Sequence, residues 1–137
     1  MCTFAVGIVF FLDNLATIIH IETSTDVCSV SVSKDGFRLF DRSIPGSAKG
    51  SQASEQLGTL VEEAVEAARE KPDAVAVSSG PGSYTGLRIG MSMAKGLAYG
   101  SDAKLIAVPT LELLCAPVLL GDHAMRVHRW HSCRYCR

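Results

Sequence analysis

At Ser54 the hydrophobic period of this chain changes from two to 3.6, and that change limits what the chain can fold into. Before it, residues 27–34 (VCSVSVSK) alternate apolar and polar side chains, as a half-buried strand does. After it, Leu57, Leu60, Val61, Ala64, Val65 and Ala68 form one stripe of an α-helix reaching about Lys71, with Ser54 as candidate N-cap and Pro72 as the stop. Residues 16–21 (ATIIHI) are β-rich and lead into the polar turn 22–26. Asp35 and Gly36 signal a hairpin into a third strand at 37–42, and residues 43–53 are a Gly-, Ser- and Pro-rich loop. Residues 74–78 (AVAVS) are a short buried strand, and the glycine-rich turn 80–86 opens a second helix ending near Gly100. Residues 104–108 (KLIAV) are a fifth strand, after which Thr110 can cap a third helix that includes residues 111–114. The order β-β-β-α-β-α-β-α specifies an α/β fold, a mixed five-stranded sheet with helical crossovers.

The length of 137 residues suits one domain, and a formal net charge of −1 supplies no global field for nucleic acid. An RNA contact then has to be local or provided by a partner. Charge is uneven: residues 121–137 hold four basic side chains and one acidic, against nine and thirteen in residues 1–120. Five cysteines, an odd number without scaffold spacing, argue for a reducing compartment. The apolar run 2–12 is too short to span a bilayer, and the first basic residue is Lys34, so the positive start of a signal peptide is missing. The run reads as an extra edge strand or an extension, and the expected location is cytoplasmic with no membrane contact. In the tail, His128, His131, Cys133 and Cys136 are zinc-type donors. Only one residue separates the two pairs, where structural zinc sites place a dozen or so, and no metal is expected.

The segment GPGSYTGLRIG, residues 80–90, joins a strand to a helix, where exposed N–H groups and the positive helix end favour an anion. It lacks the G-K-[ST] of a P-loop, and Gly80, Gly82 and Gly86 do not match G-x-G-x-x-G. With the hydroxyl-rich turn it gives a candidate phosphate-binding turn of Thr23, Ser24, Gly80, Gly82, Ser83, Thr85 and Gly86. Glu22 and Asp26 are the nearby carboxylates; His20 and Cys28 lie in strands and read as packing. The second helix carries two ridges of small residues, Gly86, Gly90, Ala94 and Ala98, and Ser92, Gly96 and Gly100. Another helix, the chain's own first or a partner's, can pack closely there, offsetting about 1 kcal/mol of lost helix propensity per glycine. The same helix presents Leu87, Met91, Met93 and Leu97.

Residues 21–36 (IETSTDVCSVSVSKDG), 73–100 (DAVAVSSGPGSYTGLRIGMSMAKGLAYG) and 105–114 (LIAVPTLELL) together resemble the TsaB family, also called YeaZ. These are the Gcp-like subunits needed for threonylcarbamoyladenosine synthesis on bacterial tRNA. The likeness covers about residues 16–120. It implies an actin-like, Hsp70-like ATPase fold (ribonuclease H-like), with 16–120 as the first of two lobes, 1–15 as an apolar extension, 121–137 as an atypical basic tail, and the second lobe absent. It also implies a non-catalytic dimerisation subunit, with no catalytic residue of its own. Pairing would run through both helices, with a TsaD-like catalytic subunit or with a second copy; a TsaE-like ATPase is a further partner, and tRNA is reached only through the complex. The interface expected from the ridges and the resemblance is Leu57, Leu60, Val61, Ala64, Gly86, Leu87, Gly90, Met91, Ala94, Leu97 and Ala98.

TsaD-like chains share the opening I-E-T-S and the G-P-G turn but carry an H-x3-H metal pair, whereas this chain has no histidine from Glu22 to Asp122. No metal or cofactor is expected. ATP is the one candidate, and the glycine that sugar kinases and Hsp70 relatives have near residues 22–25 is missing. The alternatives are a nucleotide-binding ATPase of the actin-like class and a truncated, non-functional fragment. The chain departs from the family in lacking a histidine near 51–53, in a short linker at 70–73 and in the loss of likeness after Leu120. Surfaces a second lobe would cover are then exposed, and a marginal, partner-dependent protein is expected.

Overall fold

β1 (Thr17–Glu22, TIIHIE) is buried along nearly its whole length, and a strand apolar on both faces belongs in the middle of a sheet. The computed structural model describes residues 16–44 and 51–119; the N-terminal extension and the basic tail, with its His and Cys residues, lie outside the described residues. β1 sits third in a five-stranded sheet of order β3-β2-β1-β4-β5. It pairs antiparallel with β2 (Cys28–Lys34) and parallel with β4 (Ala74–Ser78), while β3 (Phe37–Ile44) and β5 (Lys104–Val108) are the edges. The Asp35–Gly36 turn has φ of 51° and 83°, the double positive φ that lets a two-residue turn follow the twist of its strands.

α1 (Ser51–Ala68) and α2 (Tyr84–Ser101) cover one face of the sheet. Ile19, Ile21, Val30, Val32, Val75 and Val77 meet Leu57, Leu60, Val61 and Ala64 of α1 and Ala94 and Ala98 of α2 in the main core. α3 (Thr110–Leu119) packs Leu113 on Ile18, Ala74 and Ala76 of the opposite face. No helix among the described residues is long and apolar enough to cross a membrane.

Several boundaries differ from the periodicity reading. α1 begins at Ser51, so Ser54 lies inside the helix and does not cap it. The helix ends at Ala68, before Pro72, because Arg69 turns left-handed at φ 55°. Thr110 does not cap with its side chain: its hydroxyl is buried without a hydrogen-bond partner, while its amide donates to the carbonyl of Gly80 at 2.8 Å. α2 is capped at both ends. Ser83 accepts from the amide of Gly86, and Asp102, at φ 52°, donates its amide back to Ala98 and Tyr99. The short linker after α1 is tied to the sheet: Asp73 accepts from the amide of Thr17 at 2.8 Å, and Glu70 accepts from the Thr17 hydroxyl and the Lys34 ammonium.

The polar alternates of β2 are buried: Ser29, Ser31 and Ser33 all have at most 6% of their surface exposed. Ser33 Oγ lies 2.8 Å from Nε2 of His20, which is fully buried on β1. Burial lowers the His20 pKa from 6.5 to about 4. The unfolded chain binds this proton below pH 6.5 and the folded chain only near pH 4, so stability falls as pH drops through that window. From pH 7.5 to pH 5 the loss is about 2 kcal/mol, readable as a lower urea midpoint, and a His20→Asn variant is flat over the same range.

Candidate functional site

The glycine-rich turn is built by close approach to the loop between β1 and β2. Ser83 donates its amide to the carbonyl of Ser24 at 2.7 Å. A Cβ on Gly82 would stand 2.7 Å from Cβ of Ser24; one on Gly86 would collide with the carbonyl oxygen of Thr23, and one on Gly90 with its hydroxyl. These positions therefore have no room for a side chain. Gly80 holds φ 104°, a conformation only glycine adopts without strain. The structure thus brings Thr23, Ser24, Gly82, Ser83 and Gly86 into one cluster, with Gly80 beside Leu87 and Thr85 exposed.

Three of the amides at this turn are engaged within the chain. The amide of Ser83 goes to Ser24, and those of Gly86 and Leu87 go to the hydroxyl and carbonyl of Ser83. Glu22 accepts from the amide of Ser24 at 2.7 Å, so its carboxylate closes the loop from the other side. The hydroxyls of Thr23 and Ser24 are buried without hydrogen-bond partners. Asp26 is exposed. Burial, with the charge of Glu22, pushes the Cys28 thiol up to about 11, which keeps it protonated and poorly nucleophilic at neutral pH. Among the described residues no three His, Cys, Asp or Glu side chains converge as metal ligands.

The second feature is an open groove of about 790 Å³ between α1 and α2. Val61, Ile89, Met93 and Leu97 supply its apolar lining, and Ser92, Gly96 and Gly100 run along it. Of the residues expected at an interface, several are covered by the chain's own fold. Leu57, Leu60, Ala64, Gly90, Ala94 and Ala98 are buried inside the chain, because the stripe of α1 and the first small ridge of α2 face the sheet. Gly86, Leu87 and Met91 are half-buried, and only Val61 and Leu97 of that set also line the groove. The groove also takes in Ile89, which the sequence reading does not single out, together with Met93 and the second small ridge, which it does. Their signal was the apolar row at 89, 93 and 97 directly beside Ser92, Gly96 and Gly100.

The two ridges have different physical reasons. Gly90 is required by Thr23, whereas a Cβ on Gly96 or Gly100 would meet nothing within 4 Å. Each exposed helical glycine costs about 1 kcal/mol against alanine. No packing within the chain offsets that at Gly96.

A family model described as tRNA N6-adenosine threonylcarbamoyltransferase, TsaD, matches residues 44–126. The tRNA threonylcarbamoyladenosine biosynthesis protein TsaB of Escherichia coli (strain K12) is 30% identical over 118 residues, covering 80% of this chain and 47% of that protein. A tRNA N6-adenosine threonylcarbamoyltransferase of Geobacter sp. (strain M21) is also 30% identical, covering 86% of this chain and 41% of the relative. The solved structure of YeaZ from Pseudomonas aeruginosa superposes with a TM-score of 0.59 at 26% identity, over 69% of this chain and 43% of that one. The chain spans about half the length of the curated relatives it matches.

The contrast between the ridges is measurable in denaturant unfolding. Gly86→Ala lowers stability by about 3 kcal/mol through overpacking against backbone. Gly96→Ala raises it by about 1 kcal/mol through helix propensity.

Proposed function

Because the chain belongs to the TsaB (YeaZ) family, with the actin-like, ribonuclease H-like ATPase fold of that group, we propose that it is a non-catalytic pairing subunit in tRNA threonylcarbamoyladenosine synthesis. Relatives in the same pathway carry the names TsaB and tRNA N6-adenosine threonylcarbamoyltransferase, which supplies two candidate partners: a TsaD-like catalytic subunit or a second copy of this chain. A TsaE-like ATPase would join the same assembly. The observation that carries the reading is the groove with its exposed ridge. Ser92, Gly96 and Gly100 leave a strip of small residues beside Ile89, Met93 and Leu97, into which a partner helix fits at short interaxial distance.

A second reading, nucleotide binding at the glycine turn, draws on the buried hydroxyls of Thr23 and Ser24 that lack partners. Against it, the amides of Ser83, Gly86 and Leu87 are engaged within the chain. Millimolar ATP is therefore expected to leave the melting temperature unchanged, and a rise of several degrees would favour the nucleotide reading.

Light scattering on the full chain, alone and mixed with a TsaD-like subunit, tests the pairing. The expected result is a defined dimer or heterodimer that dissociates in Gly96→Leu while the variant keeps a cooperative melt. Gly90→Leu is unsuitable as a probe because its side chain would meet Thr23 and disturb the fold. A monomer indifferent to both partner and substitution would reject the proposal.

A further inference from the structure

α2 turns about 100° per residue, so Tyr84, Arg88, Lys95 and Tyr99 fall within an arc of about 60° and form a single ridge about 22 Å long. Its centre lies about 150° around the helix from the apolar row Ile89, Met93 and Leu97, on the solvent side of the groove's small-residue strip, with Arg88 standing at the groove's rim. The side chains stand in solvent: Tyr84 is 75% exposed and Tyr99 92%, with Arg88 and Lys95 exposed between them. The Arg88 guanidinium sits 5.4 Å from the centre of the Tyr84 ring and donates to its hydroxyl at 3.2 Å, so the cation is held against the ring.

The ridge is also free of carboxylates. α2 contains no acidic residue, and Asp102 at its end faces Lys71 at 3.7 Å. Acidic side chains collect on α1, where Glu62, Glu63 and Glu66 lie. A chain of net charge −1 is thus divided into an acidic helix and a basic, aromatic one. Two exposed rings bracketing two cations suit a flexible polyanion with flat side groups. Bases stack on tyrosine faces and phosphates sit on the cations, without base-specific hydrogen bonds. An acidic protein helix would use the cations but leave both rings in water.

We propose that this ridge of α2 is a docking surface for a single strand of RNA. The proposal places an RNA contact on this chain itself and goes beyond the pairing reading, since Tyr84, Lys95 and Tyr99 lie outside the groove and only Arg88, at its rim, belongs to both surfaces.

The test is fluorescence anisotropy of a labelled 12-nucleotide oligoadenylate titrated with the full chain, from 50 to 200 mM salt. Binding is expected, with a log–log salt slope of about −1.4 for two neutralised phosphates. Tyr84→Ala and Tyr99→Ala each weaken it about tenfold, and the corresponding Phe variants keep it, because the ring and not the hydroxyl does the stacking. Arg88→Ala and Lys95→Ala each reduce the slope by about 0.7. All six substitutions fall at four exposed positions, and unchanged melting curves confirm the fold. No binding, or binding indifferent to loss of both rings, overturns the proposal. Displacement by polyglutamate as effective as by unlabelled oligoadenylate, with the rings irrelevant, overturns it in favour of an acidic protein surface. Gly96→Leu separates the two readings: it abolishes pairing and leaves oligoadenylate affinity unchanged.

Discussion

The carbonyl of Ser24 accepting the amide of Ser83 is the contact on which the arrangement of the molecule depends. It joins the loop after the central strand to the residue that caps α2, and it forms only because Gly82, Gly86 and Gly90 let helix and loop approach within backbone distance. Once α2 is held there, Ala94 and Ala98 reach the core over β4, and the first small ridge is committed to the sheet. The remaining surface of the helix then faces outward in a fixed orientation. A larger residue at any of the three glycines would lift the helix from the loop and unseat both the core and the groove.

That placement gives one helix three chemically different surfaces around its circumference. Its inner side is alanine and glycine against the sheet, the side toward α1 is apolar with a strip of small residues, and the surface beyond that strip is aromatic and basic. Three such demands leave little room for good helix formers. The helix nonetheless keeps a hydroxyl cap at its start and a left-handed αL residue at its end, so local signals hold its boundaries while composition serves its surfaces.

Much of the architecture was legible from pattern. β4 and β5 were read with their actual limits, and the hairpin at Asp35 and Gly36 follows from turn chemistry. The start of α1 was not legible, because residues 51–53 carry no punctuation that separates loop from helix. Glycines in the turn correctly signalled close approach, but not of what: Thr23 and Gly90 are distant in sequence, and only the parallel pairing of β1 with β4 brings them together. For the same reason the two small ridges of α2 could not be told apart by spacing, which is identical in both. Deciding which one faces the sheet requires knowing the angle at which the helix leaves the turn. The alternation of β2 misled in another way, since its serines read as a wet face and are buried, one of them against His20.

The two faces of the sheet are unequal, and the inequality bears on how the molecule opens. One face joins branched aliphatic side chains to two eighteen-residue helices. The other joins only Ile18, Ala74 and Ala76 as buried residues to α3 through Leu113, the one buried apolar side chain among the described residues of that helix. Free energies of local opening scale with apolar contact, so α3 sits near the bottom of that range and the α1–α2 side near the global limit. Native-state fluctuations should therefore peel α3 away as a separate cooperative unit, exposing the ends of β4 and β5 to solvent and protease while the glycine turn and the groove stay assembled.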